Sequence, residues 1–453
     1  MILKNKKITV IGLAKSGFAT AKFLASRGAE VRVTDCSQKK EVLENAGYLK
    51  TLGVRVETGV HSEIFLQDAD LIVTSPGVPK KSFPLVYAKK KRIPVISEVE
   101  LASLFCKGTI IGVTGSNGKT TTCHLIYRML QNAGRKSVLC GNVGHSFMDA
   151  ISEIDPKTTV VLELSSFQLE DSPRFHPHIA VILNVSPNHL DRHLTLKNYA
   201  AAKQKIFHNQ TPKDFLVLNH DNAVTRAMRG KTRSRVILFS KTDAKQGIYL
   251  TPKEVVVRQK GLPQTHYKRS FFQLRGDHNL ENIMAAAAVA AIAKLPAKAV
   301  QKTFEEFKTL EHRIEPLGEV GGVFFVNDSK STTVDSTRAA IGSVLGPVLL
   351  IAGGRDKGAD FTKIEELVLQ RIKHAVLYGE SRQKISKAWK KFNRLTEIEK
   401  FDQAVKLAFS KAEPGDSILL SPMCASFDQF SSFEERGETF KKIFKELQKT
   451  WMR

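Results

Sequence analysis

The chain has few cysteines and no cluster of them. Cys36, Cys106, Cys123, Cys140 and Cys424 are scattered, with no close pair and no metal-ligand spacing. A disulfide scaffold and a cysteine zinc centre are excluded, and reduced thiols in a cytoplasm are expected. No apolar run is long enough to span a bilayer; the longest, the alanine-rich stretch 283–295, predicts a buried helix. Residues 1–11 run directly into a strand pattern without a secretory leader, which again points to the cytoplasm. Tandem repeats and low-complexity linkers are absent as well.

Acidic residues are in deficit. Lys and Arg number 69 against 45 Asp and Glu, a net charge of +24. Such a balance raises a nucleic-acid hypothesis, but it suits equally an enzyme whose substrates are all anions. The basic residues are dispersed, and the densest run, 89–92 beside Lys80 and Lys81, has no aromatic residues interleaved for base stacking. No nucleic-acid partner is expected. The 453 residues, 42% of them hydrophobic, allow about three globular domains with large cores.

What is present is an alternation of strands and helices. Residues 7–12 predict a strand and 17–27 a helix that turns Phe18, Ala21, Leu24 and Ala25 to a sheet; 30–35 predict the next strand. Between the first strand and the helix, Gly12-Leu13-Ala14-Lys15-Ser16-Gly17 is a variant of the dinucleotide fingerprint, with Asp35 where a ribose-binding acid would stand. Ala14 replaces the glycine that lets the backbone approach a pyrophosphate, so a tight strand-to-helix turn without a ligand accounts for it as well.

Residues 109–120 carry the strongest signal. A β-branched run ends in Gly115-Ser116-Asn117-Gly118-Lys119-Thr120. This is a phosphate-binding loop: backbone N–H groups and Lys119 hold a triphosphate, and the Thr120 hydroxyl reaches its magnesium. Val113 stands where the usual spacing has its first glycine. The helix predicted over 120–134, with Leu125, Ile126, Met129 and Leu130 on one face, points its N-terminus at the phosphates. Strands near 138–140, 159–164 and 179–184 end in Gly141-Asn142, Glu163 to Ser166 and Asn184 to His189. These exits should converge on the loop, since ligands of open parallel sheets sit at the carboxyl ends of strands. Thr120 and Glu163 offer oxygens to a magnesium ion; His189 alone reads more readily as a loop or core residue. A third αβα region begins near Leu310, with strand exits at Asn327-Asp328-Ser329-Lys330, at 353–357 and at Ser421-Pro422. Phe427, Phe430 and Phe433 recur at helical spacing and suit a core as well as a pocket wall. Cys424 has no activating histidine beside it.

The runs 114–121, 141–144, 163–169, 188–193, 199–203, 278–282, 311–313 and 327–330 resemble the Mur ligases of peptidoglycan synthesis, over essentially the whole chain. Residues 165–169 and 421–437 are similar to those of the branch that adds D-glutamate. The resemblance implies an α/β fold of three consecutive domains. The first is a Rossmann-like domain for the UDP-substrate (1–98), the second a central P-loop ATPase-type domain (99–309), and the third a Rossmann-like amino-acid domain (310–453). It implies an ATP- and Mg2+-dependent ligase that joins D-glutamate to UDP-N-acetylmuramoyl-L-alanine through an acyl phosphate, serving cell-wall biogenesis, cell shape and cell division. Lys119, Glu163, His189 and Lys203 are then catalytic. Thr120, Glu163, His189 and Lys203 hold metal, with Lys203 carbamylated so that it ligates as an anion. Gly115, Ser116, Asn117, Gly118, Lys119, Thr120, Thr121, Asn279, Asn282, Arg313 and Asp328 serve ATP. Ser16, Asp35, Cys36, Ser75, Asn142, Ser165 and Gln168 serve the UDP-substrate; Lys330, Thr332, Lys357, Ser426 and Phe433 serve D-glutamate. A cytoplasmic monomer without membrane association is expected. Three alternatives stay open on the sequence: another amino-acid-adding ligase of this fold, including the folylpolyglutamate type; a dinucleotide-dependent oxidoreductase; and a basic P-loop ATPase acting on nucleic acid.

Overall fold

β-branched runs with polar exits form strands in three separate sheets of a computed structural model. It describes residues 2–242, 247–274, 277–308, 310–344 and 346–451. The first sheet has five parallel strands in the order Arg55–Thr58, Glu30–Asp35, Lys7–Ile11, Leu71–Thr74, Val95–Ser97. Strand order reverses beside Lys7–Ile11, so the turns after it and after Leu71–Thr74 open at a switch point, the usual ligand position of such sheets.

The second sheet has nine strands. In order they are Thr265–Lys268, Glu254–Arg258, Gly247–Leu250, Arg235–Ser240, Phe215–Asn219, Ile179–Ile182, Thr109–Thr114, Thr159–Glu163 and Ser137–Gly141. All pairings are parallel except the two that attach Glu254–Arg258 and Thr265–Lys268 as an antiparallel extension. Thr109–Thr114 lies between Thr159–Glu163 and Ile179–Ile182, so the exits bearing Glu163 and Asn184 flank the P-loop. The alanine-rich stretch is buried from Ile283 to Ile292 on the helix Asp277–Ile292, as its composition predicts.

The third sheet runs Glu315–Val320, Val323–Asn327, Ser417–Met423, Val348–Gly353, Ile372–Tyr378, Leu395–Ile398, with only the first pair antiparallel. Along Val348–Gly353, Leu350 and Ala352 face one apolar layer with Trp389 while Leu349 and Ile351 face the other with Phe440. Burial on both faces is why this strand is continuously apolar in sequence.

The chain divides into two compact units. The first comprises Met1–Val185, Lys197–Ser270 and Glu281–Phe304 and holds the first two sheets. The second comprises Ser186–Leu196, Phe271–Leu280 and Glu305–Arg453 and holds the third. Within the first unit, the helix Glu98–Phe105 joins the two sheets. Its cap Ser97 donates its backbone N–H to Asp171 O at 2.7 Å, and both Glu100 oxygens accept the Arg174 N–H at 3.1 Å. Lys80, between the first-sheet strands Leu71–Thr74 and Val95–Ser97, pairs with Asp171, after the short helix Ser166–Glu170.

Two expectations need correction. The helix Lys15–Ser26 buries Ala19, Thr20, Ala21 and Leu24, whereas Phe18 and Ala25 are half-buried. Phe18 packs edge-on against Tyr48 from the next helix, 5.6 Å between centroids, rather than on the sheet. The helical spacing of Phe427, Phe430 and Phe433 is not a helix face either. The C-terminal helix starts at Phe433; Phe427 is exposed, and Phe430 stacks on Phe401.

Candidate active site

At the end of Thr109–Thr114 the chain turns through 115–118 into the helix Lys119–Asn132. Gly118 makes that turn with φ +83°, and a Cβ there would lie 2.2 Å from Asn282 Oδ1. Both conditions demand glycine. Asn184 props the loop from the adjacent strand exit. Its carbonyl accepts the Ser116 N–H at 2.9 Å, and its Oδ1 accepts the Asn117 N–H at 2.9 Å. Lys119 Nζ lies over the loop, donating to Gly115 O at 2.9 Å and Ser116 O at 3.0 Å. Thr120 and Thr121 are buried on the first helical turn.

Glu163 is buried at the neighbouring exit. Its Oε1 accepts from Asn142 Nδ2 at 2.8 Å, and its Oε2 is buried with no hydrogen-bond partner among the described residues. Lys203 is buried on the helix Leu196–Gln204; its Nζ donates to Gly115 O at 2.9 Å and Thr114 Oγ1 at 3.3 Å. The Tyr199 ring lies beneath it at 4.6 Å, and the Tyr199 hydroxyl accepts from Ser116 Oγ at 3.3 Å. Burial, and then the Lys119 charge, hold the Lys203 ammonium well below the usual lysine range, against the opposing pull of Glu163. A site that disfavours the ammonium favours the free amine, the form that adds CO2. The orphaned Glu163 oxygen, the Thr120 hydroxyl and a carbamate on Lys203 would together offer an all-oxygen set of the kind a hard cation such as Mg2+ takes.

Around the first sheet, the fingerprint turn has a structural explanation of its own. A Cβ at Gly17 would sit 1.8 Å from Gly12 O, so glycine is required by the helix-on-turn packing alone. Asp35 braces this turn with one oxygen, accepting the Leu13 N–H at 2.6 Å, and its own strand exit with the other, accepting the Ser37 N–H at 2.7 Å. Ser16 and Ser75 line the same turn half-buried, and Cys36 is exposed at the strand exit. Ser165 caps the helix Ser166–Glu170 in a reciprocal box with Gln168, which fixes both side chains. Asn279 and Asn282 are buried on one helix; Asn282 Oδ1 accepts from Thr122 Oγ1 at 3.3 Å.

In the second unit a cleft of about 100 Å³ gathers His189, Thr332 and Lys357 with Asn188 and Asp335. Lys330 Nζ lies 3.6 Å from the Phe433 ring centroid, and Ser426 is buried nearby in sequence to Cys424. Asp328 is buried, accepting from Ser421 Oγ at 2.7 Å and the Ile314 N–H at 3.2 Å; burial raises its carboxyl to about 7. These bonds tie Asp328 to the segment carrying the half-buried Arg313. Cys424 is buried with its thiol pushed up to about 12 by desolvation, so it is no nucleophile. Glu311, His312 and Glu438 approach one another as metal ligands would, but Lys441 Nζ reaches both carboxylates at 3.1–3.3 Å and supplies the cation there.

Sequence reasoning missed three contributors. Asn184 and Tyr199 lay inside runs already singled out, as a polar strand exit and a motif residue, and that was the available signal. Arg436 had none beyond its motif: it is fully buried and donates to Ser329 O, Cys424 O and the Tyr378 hydroxyl, bracing two strand exits of the third sheet.

Three family models match in chain order. They are the Mur ligase MurD-like N-terminal domain over 6–97, the Mur ligase middle domain over 113–290, and the Mur ligase glutamate ligase domain over 312–424. The UDP-N-acetylmuramoylalanine–D-glutamate ligase of Koribacter versatilis is 42% identical over 448 residues, 99% of each chain. The chain belongs to the Mur ligase family. The Acidobacterium capsulatum protein of the same name is 40% identical over 98% of this chain and 97% of its own. Two solved Mur ligases from Thermotoga maritima share the fold. A UDP-N-acetylmuramate-alanine ligase has a TM-score of 0.62 at 18% identity, covering 97% of this chain and 99% of that one. A MurF ligase in complex with ADP has 0.61 at 17%, covering 99% of both. The three-sheet α/β architecture is therefore that of the family.

Proposed function

We propose that this Mur ligase joins D-glutamate to UDP-N-acetylmuramoyl-L-alanine at the expense of ATP, a step of peptidoglycan precursor synthesis. The observation that carries the chemistry is the assembly of the P-loop with buried Glu163 and buried Lys203, whose Nζ donates to the loop carbonyl of Gly115. The choice of D-glutamate rests on the full-length likeness to ligases of that name.

A carboxylate is a poor electrophile, and two anions must meet before it can be activated. Loop N–H groups and the helix N-terminus bind the triphosphate, and Lys119 swings from the loop carbonyls onto phosphate oxygens. The alanyl carboxylate attacks the γ-phosphorus and ADP leaves. The free amine of D-glutamate then adds to the acyl phosphate, and the tetrahedral adduct loses an amine proton to solvent and expels phosphate. Mg2+ held by Thr120, Glu163 and carbamylated Lys203, with His189 as a further ligand, would neutralise the phosphate and carboxylate charge. Ser16, Asp35, Cys36 and Ser75 address the UDP end, Asn142, Ser165 and Gln168 the muramoyl-alanine end. Asn279, Asn282, Arg313 and Asp328 address the nucleoside of ATP. Lys357 and Thr332 suit one carboxylate of D-glutamate, with Lys330, Ser426 and Phe433 completing the pocket. Domains over 1–98, 99–309 and 310–453 correspond to these three tasks.

No helix among the described residues is long and apolar enough to cross a membrane, and we place the enzyme in the cytoplasm as a monomer. The test is phosphate release from ATP with UDP-N-acetylmuramoyl-L-alanine and a panel of amino acids. Release with D-glutamate alone is expected. Equal turnover with L-glutamate, or preference for diaminopimelate or L-alanine, would reassign the substrate within the family.

A further inference from the structure

Asn142 sits on the first residue beyond the strand Ser137–Gly141, whose parallel register puts Gly141 opposite Glu163. It grips that glutamate twice. Its backbone N–H donates to the Glu163 carbonyl at 3.0 Å, and its side-chain Nδ2 donates to Glu163 Oε1 at 2.8 Å. The carboxylate is buried while the asparagine is exposed, so the bond comes from the rim of the pocket. The amide orientation is fixed by chemistry: its oxygen turned to a carboxylate would set acceptor against acceptor. With Oε1 engaged, Oε2 is the oxygen left for a ligand.

The loop bearing Asn142 is itself anchored. The Gly141 N–H donates to His145 O at 2.9 Å. The next residue, Ser146, caps the helix Phe147–Ala150, and the Met148 N–H of that helix donates to buried Glu98 Oε1 at 2.7 Å. Asn142 thus stands on a support that reaches the helix joining the two sheets.

We infer that Asn142 is a positioning residue for the metal centre, selecting Glu163 Oε2 as the ligating oxygen and holding its carboxylate plane. This rests on the metal-assisted reading above, and it gives Asn142 a task besides touching the UDP-substrate. Hydrogen bonds behind a ligating carboxylate hold its geometry, and losing one costs about 10- to 100-fold in metal affinity.

The experiment needs neither amino acid nor turnover. Mn2+ binding to the protein–ADP complex is followed by electron paramagnetic resonance for the wild type, Asn142→Ala and Asn142→Asp. Melting of the ligand-free protein, and metal-free binding of UDP-N-acetylmuramoyl-L-alanine, are measured alongside. Mn2+ affinity should fall about 10- to 100-fold in Asn142→Ala and at least as far in Asn142→Asp, which sets a second carboxylate against the first. Melting should be unchanged, and UDP-substrate affinity should change less than Mn2+ affinity. Mn2+ affinity within twofold of wild type in both variants would overturn the inference. So would a loss confined to the UDP-substrate, or a matching loss of all three quantities. Because the probe is Mn2+ with ADP, an error over D-glutamate would leave this result untouched.

Discussion

Buried in the wall of the P-loop pocket, the Lys203 amine is turned toward Thr114 Oγ1 and Gly115 O. An ammonium there would add to the Lys119 charge, and the desolvated site disfavours it; a carbamate reverses the sign and supplies oxygens. Lys203→Ala should therefore be nearly inactive while melting close to the wild-type temperature. A short carboxylate such as acetate or formate should restore part of the turnover by filling the vacated ligand position. Near-normal activity of the alanine variant, or an unmodified lysine by intact mass in the active enzyme, would remove the carbamate. Lys119 makes a different prediction. Its Nζ donates to two carbonyls of the phosphate loop, so Lys119→Ala should lower kcat by about 100- to 1000-fold, the scale of losing a charge-stabilising donor. Affinity for the UDP-substrate should hold. Calorimetry with that substrate separates the two quantities, and a lost UDP-substrate site with intact ATP turnover would contradict the assignment.

At the scale of elements, the helix Glu98–Phe105 shows what the sequence carried and what it did not. Acidic residues in a first turn, as Glu98 and Glu100 are here, are favoured by the helix dipole and are ordinarily solvated. Both are buried, because their partners are backbone N–H groups of residues 50 and 74 positions away. The strands and the P-loop were legible because their signals are local: β-branched runs, glycine at the turn, polar residues at the exits. The Asn142–Glu163 bond, the Asn184 prop and the antiparallel extension depend on which strands lie side by side, and periodicity is silent on that. Phe427 and Phe430 misled for the converse reason, since spacing alone cannot distinguish a helix from a loop returning to a core. Glu98 also yields a pH prediction. Burial, opposed by the Met148 N–H bond and reinforced by Asp149, raises its carboxyl from 4.5 to about 7. A carboxyl raised on folding contributes stability that is fully present below its unfolded value and lost as pH rises through about 7. At about 1.4 kcal/mol per pK unit the loss is roughly 3 kcal/mol. Glu98→Gln keeps an acceptor for Met148 but cannot ionise, so it should gain stability relative to wild type between pH 5 and pH 8. Denaturant unfolding at both values measures the gain; parallel pH dependences would refute it.

For the whole molecule, the excess of 24 positive charges has to be reconciled with a protein that carries no recognisable nucleic-acid platform. ATP, the UDP-sugar and D-glutamate are all anions, so a positive field raises their encounter rate with every site at once. The cations are scattered: the 89–92 run is exposed at the end of the helix Phe83–Lys91, away in sequence from every predicted ligand contact. A dispersed field is screened over about 8 Å at physiological salt, whereas the ligand contacts proposed for Lys119 and Lys357 would act at shorter range. Two consequences separate steering from binding. Raising ionic strength from about 20 to 200 mM should lower kcat/KM for the UDP-substrate several-fold while kcat changes little, since long-range encounter is screened and contacts between bound groups are screened much less. Binding to duplex DNA, if detected at low salt, should fall steeply over the same range and show no sequence preference. Steady-state kinetics and fluorescence anisotropy at matched salt concentrations read both. A salt-insensitive kcat/KM would leave the charge without this role, and sequence-specific DNA binding that survives physiological salt would require a second function that the dispersed lysines do not suggest.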